Sequence, residues 1–293
     1  MSFSSEVKEE LARQYSRSRH CQLAELAGML ELEGCLEEPG GAVTLVTDNP
    51  LLHEKYIVLL QKAFGVSQSE IGSAGLGKKI LAALRWDAGK YSHTPLNERR
   101  ADGLLVQQTC CKRAFIRGAF MAAGSISDPN KSYHFEIVCR TMEQAKQLQE
   151  LVESFDADAK IVERKERYVL YLKEGAQIVD MLNVMEAYVS LMNLENVRIL
   201  KEMRNSVNRK VNCETANINK TVNAAVKQME DIKRIQNTIG FEQLPYALAE
   251  MAQVRLEHPE ATLKELGTYL DPPVGKSGVN HRLRKLGEIA RKL

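Results

Sequence analysis

From His20 to Gly34 the chain reads HCQLAELAGMLELEG, and Leu23, Leu26, Ala27 and Leu30 fall on one face of a helix ended by Gly34. GGAVTLVTD, 40–48, is a short strand after a Gly-Gly turn. Residues 50–64 form an amphipathic helix with Pro50 at its start. Two strands are expected next, at about 66–72 and at 79–86. Residues 87–108 hold Pro95 and a run of charges and show no clear period. A second round then begins. CCKRAFIRGAFMAAG, 110–124, is a helix ending at Gly124; 127–130 is a turn; YHFEIVCR, 133–140, alternates like a strand. Thr141 caps a helix over 141–155, residues 159–165 and 167–173 make a hairpin, and 176–186 is a helix. The second round is read as helix, strand, strand, helix, strand, strand, helix, and the first as the same order with its first hairpin weaker.

Residues 20–190 therefore hold one α+β unit written twice, with half repeats at about 20–86 and 110–190 inside a first domain of 1–190. The marker is Gly28-x5-Gly34, which recurs ninety residues later as Gly118-x5-Gly124. A helix of small residues that ends in Gly can pack unusually close to a second one. Residues 191–240 are polar, Asn-rich and basic. Val197, Leu200, Met203 and Val207 recur there at helical spacing, which predicts linking helices with a break near Asn212–Glu214. Residues 241–293 read as three helices. The first covers 244–258. The second, 262–270, opens with a T-x-x-E capping box of Thr262 and Glu265. DPPVGK at 271–276 interrupts it, and Ser277 is the expected cap of the third, with Val279, Leu283, Leu286, Ala290 and Leu293 as its apolar stripe.

Charge sharpens this division. Residues 1–193 hold 23 basic against 26 acidic residues, whereas 194–293 hold 17 against 12. The last eighteen residues carry six basic groups and one acid, Glu288. A short helix, a tight turn and a basic helix make a helix-turn-helix, whose second helix enters the major groove of double-stranded DNA. Ser277, Asn280, His281 and Arg284 would face base edges, since Asn pairs with adenine and Arg with guanine. Lys276, Arg282 and Lys285 would meet phosphates. In the joining segment Arg204, Asn208, Arg209 and Lys220 are candidate backbone contacts. No apolar run reaches a membrane span and the polar N-terminus lacks the pattern of a secretory leader. A cytoplasmic, nucleoid-associated protein is expected. The six cysteines form no CxxC pair, Cys110 and Cys111 are adjacent, and the histidines show no ligand spacing, so neither metal nor cofactor is expected. Gly72–Lys79 nearly matches a phosphate-binding loop, but Lys79 stands where Ser or Thr should be, and a hairpin turn is the expected structure.

Residues 26–34, LAGMLELEG, resemble the LAGLIDADG helix of homing endonucleases, and 116–124, IRGAFMAAG, look like its second copy. The resemblance implies two αββαββα halves with the signature helices crossing at a pseudo-twofold, so the expected fold class is α+β, a duplicated LAGLIDADG-like domain followed by an all-α helix-turn-helix domain. In active members the eighth motif position is an acid that holds a catalytic divalent metal. Here the first copy has Glu33 and the second Ala123. Two-metal cleavage needs carboxylates on both sides, so no catalytic site is expected and Glu33 is vestigial. With AGSISDPNKSYHFEI (123–137), NSVNRKVNCETANINKTVNAA (205–225) and LGTYLDPPVGKSGVNHRLRKL (266–286), the whole is similar to the WhiA family. That resemblance implies a DNA-binding transcriptional regulator tied to cell division, and to sporulation in some relatives, with other transcription or division proteins as potential partners. Two other functions compete with it. One is an adaptor that binds a protein through its front domain and DNA through its tail. The other is an endonuclease using Glu33 with Glu31 or Asp128.

Overall fold

The computed structural model describes residues 2–37, 41–86 and 94–293, which divide into two compact units, 1–202 and 203–293. The first unit is built around two helices, α2 (Arg19–Glu33) and α5 (Thr109–Ala123). Every residue of α2 from Cys21 to Leu32 is buried. The two helices meet backbone to backbone. A Cβ on Gly28 would stand 2.4 Å from the Phe115 carbonyl oxygen, and one on Gly118 would stand 2.2 Å from that of Glu25. The paired glycines thus remove the atoms that would hold the helices apart.

In the first half, β1 (Gly34–Glu37) pairs antiparallel with β2 (Ala42–Leu45), Gly34 opposite Leu45. The expected strand began at Gly40, which lies outside the described residues. α3 (Pro50–Phe64) follows, its first turn capped by the Asn49 side chain accepting from Leu51 N–H. The two strands expected at 66–72 and 79–86 do not form. A short 3-10 turn covers Gln68–Glu70, and a helix, α4 (Ala74–Ala83), takes their place. Leu76, Ile80 and Leu84 sit four apart and are all buried, and Ser73 caps the helix by accepting from Leu76 N–H. Gly77 lets α4 lie against the first hairpin, since a Cβ there would meet the Gly41 carbonyl oxygen at 2.0 Å. The near phosphate loop at 72–79 is therefore not a hairpin turn; Gly72 lies in the turn before α4, and Gly75, Gly77, Lys78 and Lys79 lie within the helix. The charged run at 87–108 is described only from 94 onward, where 3-10 turns cover Leu96–Glu98 and Gly103–Val106.

The second half follows the expected order. It runs α5, β3 (Gly124–Ile126), β4 (Phe135–Cys139), α6 (Met142–Glu153), β5 (Lys160–Arg164), β6 (Arg167–Leu172) and α7 (Gly175–Met185). The sheet order is β3-β4-β6-β5, all antiparallel. Thr141 caps α6 in a full capping box with Gln144. An N-terminal helix, α1 (Phe3–Ala12), buries Val7 and Leu11 in the same core. Beside the helix pair lies a buried ionic group. The Glu25 carboxylate is 2.7 Å from Lys55 Nζ and 2.9 Å from Arg117 Nη2, and Arg117 Nη1 reaches Glu186 Oε2 at 2.8 Å. Each buried charge has its opposite, which is the condition for keeping charges out of water.

Residues 188–238 form one helix, α8 (Tyr188–Thr238), with no break at Asn212–Glu214. The physical reason is in its composition: the stretch contains no Gly or Pro, and the first helix breaker is Gly240. The second unit contains the later turns of α8 with α9 (Tyr246–Glu257), α10 (Leu263–Thr268) and α11 (Lys276–Ala290). Its core joins Ile232 and Ile235 of α8 to Leu248, Met251, Leu266, Val279, Leu283 and Leu286. A segment expected to be only a linker thus supplies part of this core. Among the described residues, no helix is long and apolar enough to cross a membrane.

Candidate DNA interface

The turn between α10 and α11 is held by close backbone packing. Val274 N–H donates to the Gly267 carbonyl at 2.9 Å, and a Cβ on Gly267 would stand 2.0 Å from the Val274 carbonyl oxygen. The capping box at Thr262 and Glu265 forms as the spacing predicts, and its hydrogen bonds hold the Glu265 carboxyl below its ordinary range. With Val274 fixed, the chain enters the helix at once. The N-cap of α11 is Gly275, not Ser277, and Ser277 is already the second helical residue.

Val279, Leu283, Leu286 and Ala290 are buried, which fixes the rotation of α11 about its axis. Ser277, Asn280, His281 and Arg284 are exposed and follow the i, i+3, i+4, i+7 spacing of a single helix face. Lys276 and Lys285 are exposed at its flanks. Arg284 has only a loose surface pair, its Nε 3.7 Å from Glu288 Oε1, a contact that costs little to exchange for DNA. Arg282 behaves otherwise. It is half-buried and turns to α9, with Nη1 3.5 Å from both Glu250 Oε2 and the Ala247 carbonyl. Its long side chain braces the domain, so it leaves the set expected to face phosphates.

Beside the start of α11 lies a cleft of about 530 Å³, lined in part by Lys220, Gln228, Arg255, Lys264, Lys276 and Asn280. The fold thus brings Lys220 of α8 to Lys276 and Asn280. Arg204, Asn208 and Arg209 are exposed on α8 but do not line this cleft. Arg209 lies eleven residues before Lys220, about 16 Å along the helix. Sequence reasoning missed Lys264, although the capping box already placed it in the first turn of α10. Arg255 is buried beneath the cleft and donates through Nη1 to the Ala261 carbonyl at 2.7 Å, pinning the loop before α10; burial lowers its pKa.

At the far end of the first unit's helix pair, Glu33 closes α2 and Ala123 closes α5. Glu33 is half-buried, and burial raises its pKa, opposed by the charges of Arg140, Arg167 and Lys8. Arg140 Nη2 lies 3.7 Å from its carboxylate. A divalent ion needs several oxygen donors and finds here one carboxylate, a methyl group at the equivalent position and three neighbouring cations. These residues do not fit the nuclease metal. Glu31 is fully buried and accepts from Ala101 N–H, and Asp128 is spent on Asn130 in its own turn, so neither joins Glu33.

Two family models match the chain, the WhiA LAGLIDADG-like domain over residues 112–204 and the WhiA C-terminal HTH domain over 207–290. A protein of Lachnoclostridium phytofermentans described as "Probable cell division protein WhiA" is 53% identical over 99% of this chain and 98% of its own. Its counterpart of the same description in Alkaliphilus oremlandii is 47% identical over 100% of this chain and 98% of its own. The solved full-length DUF199/WhiA of Thermatoga maritima is 23% identical, with a TM-score of 0.58 over 100% of this chain and 99% of that one, and shows the same fold. The helix pair with its degenerate acid positions, the helix-turn-helix and the full-length similarity agree: the chain belongs to the WhiA family.

Proposed function

We propose that this chain reads a specific sequence of double-stranded DNA through α11, that it regulates transcription in the service of cell division, and that its front domain cuts nothing. The observation that carries the reading is the clamped orientation of α11. Its buried stripe leaves Ser277, Asn280, His281 and Arg284 together on the outside, at the end of the helix that a helix-turn-helix presents to the major groove. Lys220, Lys264, Lys276 and Lys285 give phosphate neutralisation around it. The tie to cell division rests on the description shared by the relatives. The absence of cleavage rests on the poor fit of Glu33 and Ala123 to a metal.

The test is a genome-wide pull-down of crosslinked DNA beside the Asn280→Ala/Arg284→Ala double variant. Sharp peaks sharing a short motif, lost in the variant, are expected, because each good base contact is worth about 1–3 kcal/mol of discrimination. Peaks that persist in the variant would move the reading head elsewhere. Purified chain with magnesium and the recovered DNA should leave it uncut. A second role, holding a protein partner while on DNA, has one observation in its favour: Met203, Val207, Val211, Ile218, Val222 and Val226 are large apolar side chains left exposed along α8. A Val207→Lys/Val222→Lys variant would then lose the partner and keep its affinity for DNA.

A further inference from the structure

The sequence shows no ligand spacing, yet the fold gathers four metal-binding side chains at one point. His20 and Cys21 lie in the first turn of α2, Cys110 and Cys111 in the first turn of α5. Their ligand atoms all lie within 4.8 Å of one another. His20 Nδ1 is 3.1 Å from Cys111 Sγ and 3.3 Å from Cys21 Sγ. A tetrahedral zinc site with Zn–S near 2.3 Å and Zn–N near 2.0 Å puts its donors about 3.5–3.8 Å apart. The four donors therefore stand within about an ångström of that arrangement.

The placement follows the duplication. The ninety-residue offset that relates Gly28 to Gly118 also relates His20 to Cys110 and Cys21 to Cys111. His20 and Cys110 are each the second residue of their helix, and Cys21 and Cys111 the third. Because the helices touch at the paired glycines, their equivalent first turns come together, and each contributes two donors. Adjacent residues that could not surround an ion from one helix can do so as two opposed pairs.

We propose that His20, Cys21, Cys110 and Cys111 form a structural site for one zinc-type divalent ion that clamps the first turns of the two signature helices together. The site is at the opposite end of the helices from Glu33 and Ala123, so it owes nothing to the nuclease centre of the fold. Three sulfurs and one imidazole nitrogen are a borderline-soft donor set that selects zinc over magnesium or calcium. A thiol-disulfide couple is the rival use of these cysteines. It would leave the His20 imidazole, 3.1 Å from Cys111 Sγ, without a part, whereas one ion uses all four side chains.

Full-length chain, free of any affinity tag and purified reduced and metal-free, is titrated with Co²⁺ and then with Zn²⁺. The expected result is a thiolate charge-transfer band with intense tetrahedral d–d bands, saturating at about one ion per chain and bleached by zinc. Cys110→Ser and His20→Ala alter exposed side chains and should leave the fold intact, which circular dichroism checks; each should weaken Co²⁺ by about a hundredfold or more. Cys213→Ser, on α8, should change nothing. Chelation should lower the melting temperature of the parent chain but not of Cys110→Ser. No saturable cobalt band, or unchanged affinity in Cys110→Ser, would overturn the site. So would a Cys21–Cys111 disulfide in the reduced-purified chain.

Discussion

Glu31 is an acid buried with little to hold its charge. One carboxylate oxygen accepts from Ala101 N–H at 2.8 Å, the other has no hydrogen-bond partner among the described residues, and the field of Arg100 offsets only part of the cost. Burial lifts its pKa from the ordinary 4.5 to about 8. The folded chain therefore keeps a proton that the unfolded chain releases between those values. Stability from this residue is full below pH 4.5 and falls as pH rises through the window to about 8. Glu31→Gln keeps an acceptor for Ala101 and removes the charge. It should stabilise the chain at pH 9 by on the order of 3 kcal/mol and differ little from the parent near pH 4.5, read from urea midpoints at both values. An equal difference at the two pH values would mean that packing, not ionisation, decides. Residue identities alone exposed Glu33 and Ala123 as an unequal pair. They could not expose Glu31 in the same way, because it differs from other helix acids only in what the fold packs against it, Ala101 and Arg100 of the segment between the repeats included.

At the scale of elements, the ninety-residue repeat was the most legible feature, and the structure shows what it encodes. Gly28 and Gly118 are where two backbones touch, and a methyl group on either has no flexible neighbour to displace. Gly118→Ala should cost about 3 kcal/mol or more, at the upper end of overpacking penalties. Gly75, in α4, meets nothing within 4 Å among the described residues, so Gly75→Ala should be neutral or stabilising by about 0.5–1 kcal/mol. Denaturant unfolding of the two variants against the parent decides the matter, and similar losses in both would remove close approach as the cause. The strand expected at 79–86 failed for a reason that belongs to this scale too. A short apolar run such as KILAALRW satisfies both periods, and Leu76, Ile80 and Leu84 tip it to the helix only once β2 offers a surface for Gly77. The thiol cluster was illegible by spacing within one segment, yet the repeat offset that pairs the glycines pairs those four residues as well.

For the whole molecule, charge and core divide along the same boundary. Residues 203–293 contain their own core from Ile232 to Ala290 and hold 15 basic against 10 acidic residues, while 1–202 hold 25 against 28. The core argues that the second unit folds as a separate piece, and the charge argues that DNA affinity travels with it. Sequence reasoning found this asymmetry but drew the helical domain from 241, because the contribution of Ile232 and Ile235 lies in a segment whose polarity suggested only a connection. Expressed as residues 203–293, the unit should bind the recovered DNA motif, and its log affinity should fall with log salt at the slope of the full chain. Each phosphate neutralised adds about −0.9 to that slope, so removing Lys220, Lys264 or Lys276 singly should flatten it by about one. The net acidic first unit should add nothing. The alternative is contact through the outer face of its sheet, where Arg164 and Lys173 stand beside Glu136 and Tyr171. That contact would make the full chain's slope steeper than that of 203–293 by at least one phosphate. An Arg164→Ala/Lys173→Ala variant of the full chain would then return it to the lower value, and if the two slopes already agree, DNA recognition belongs to the second unit alone.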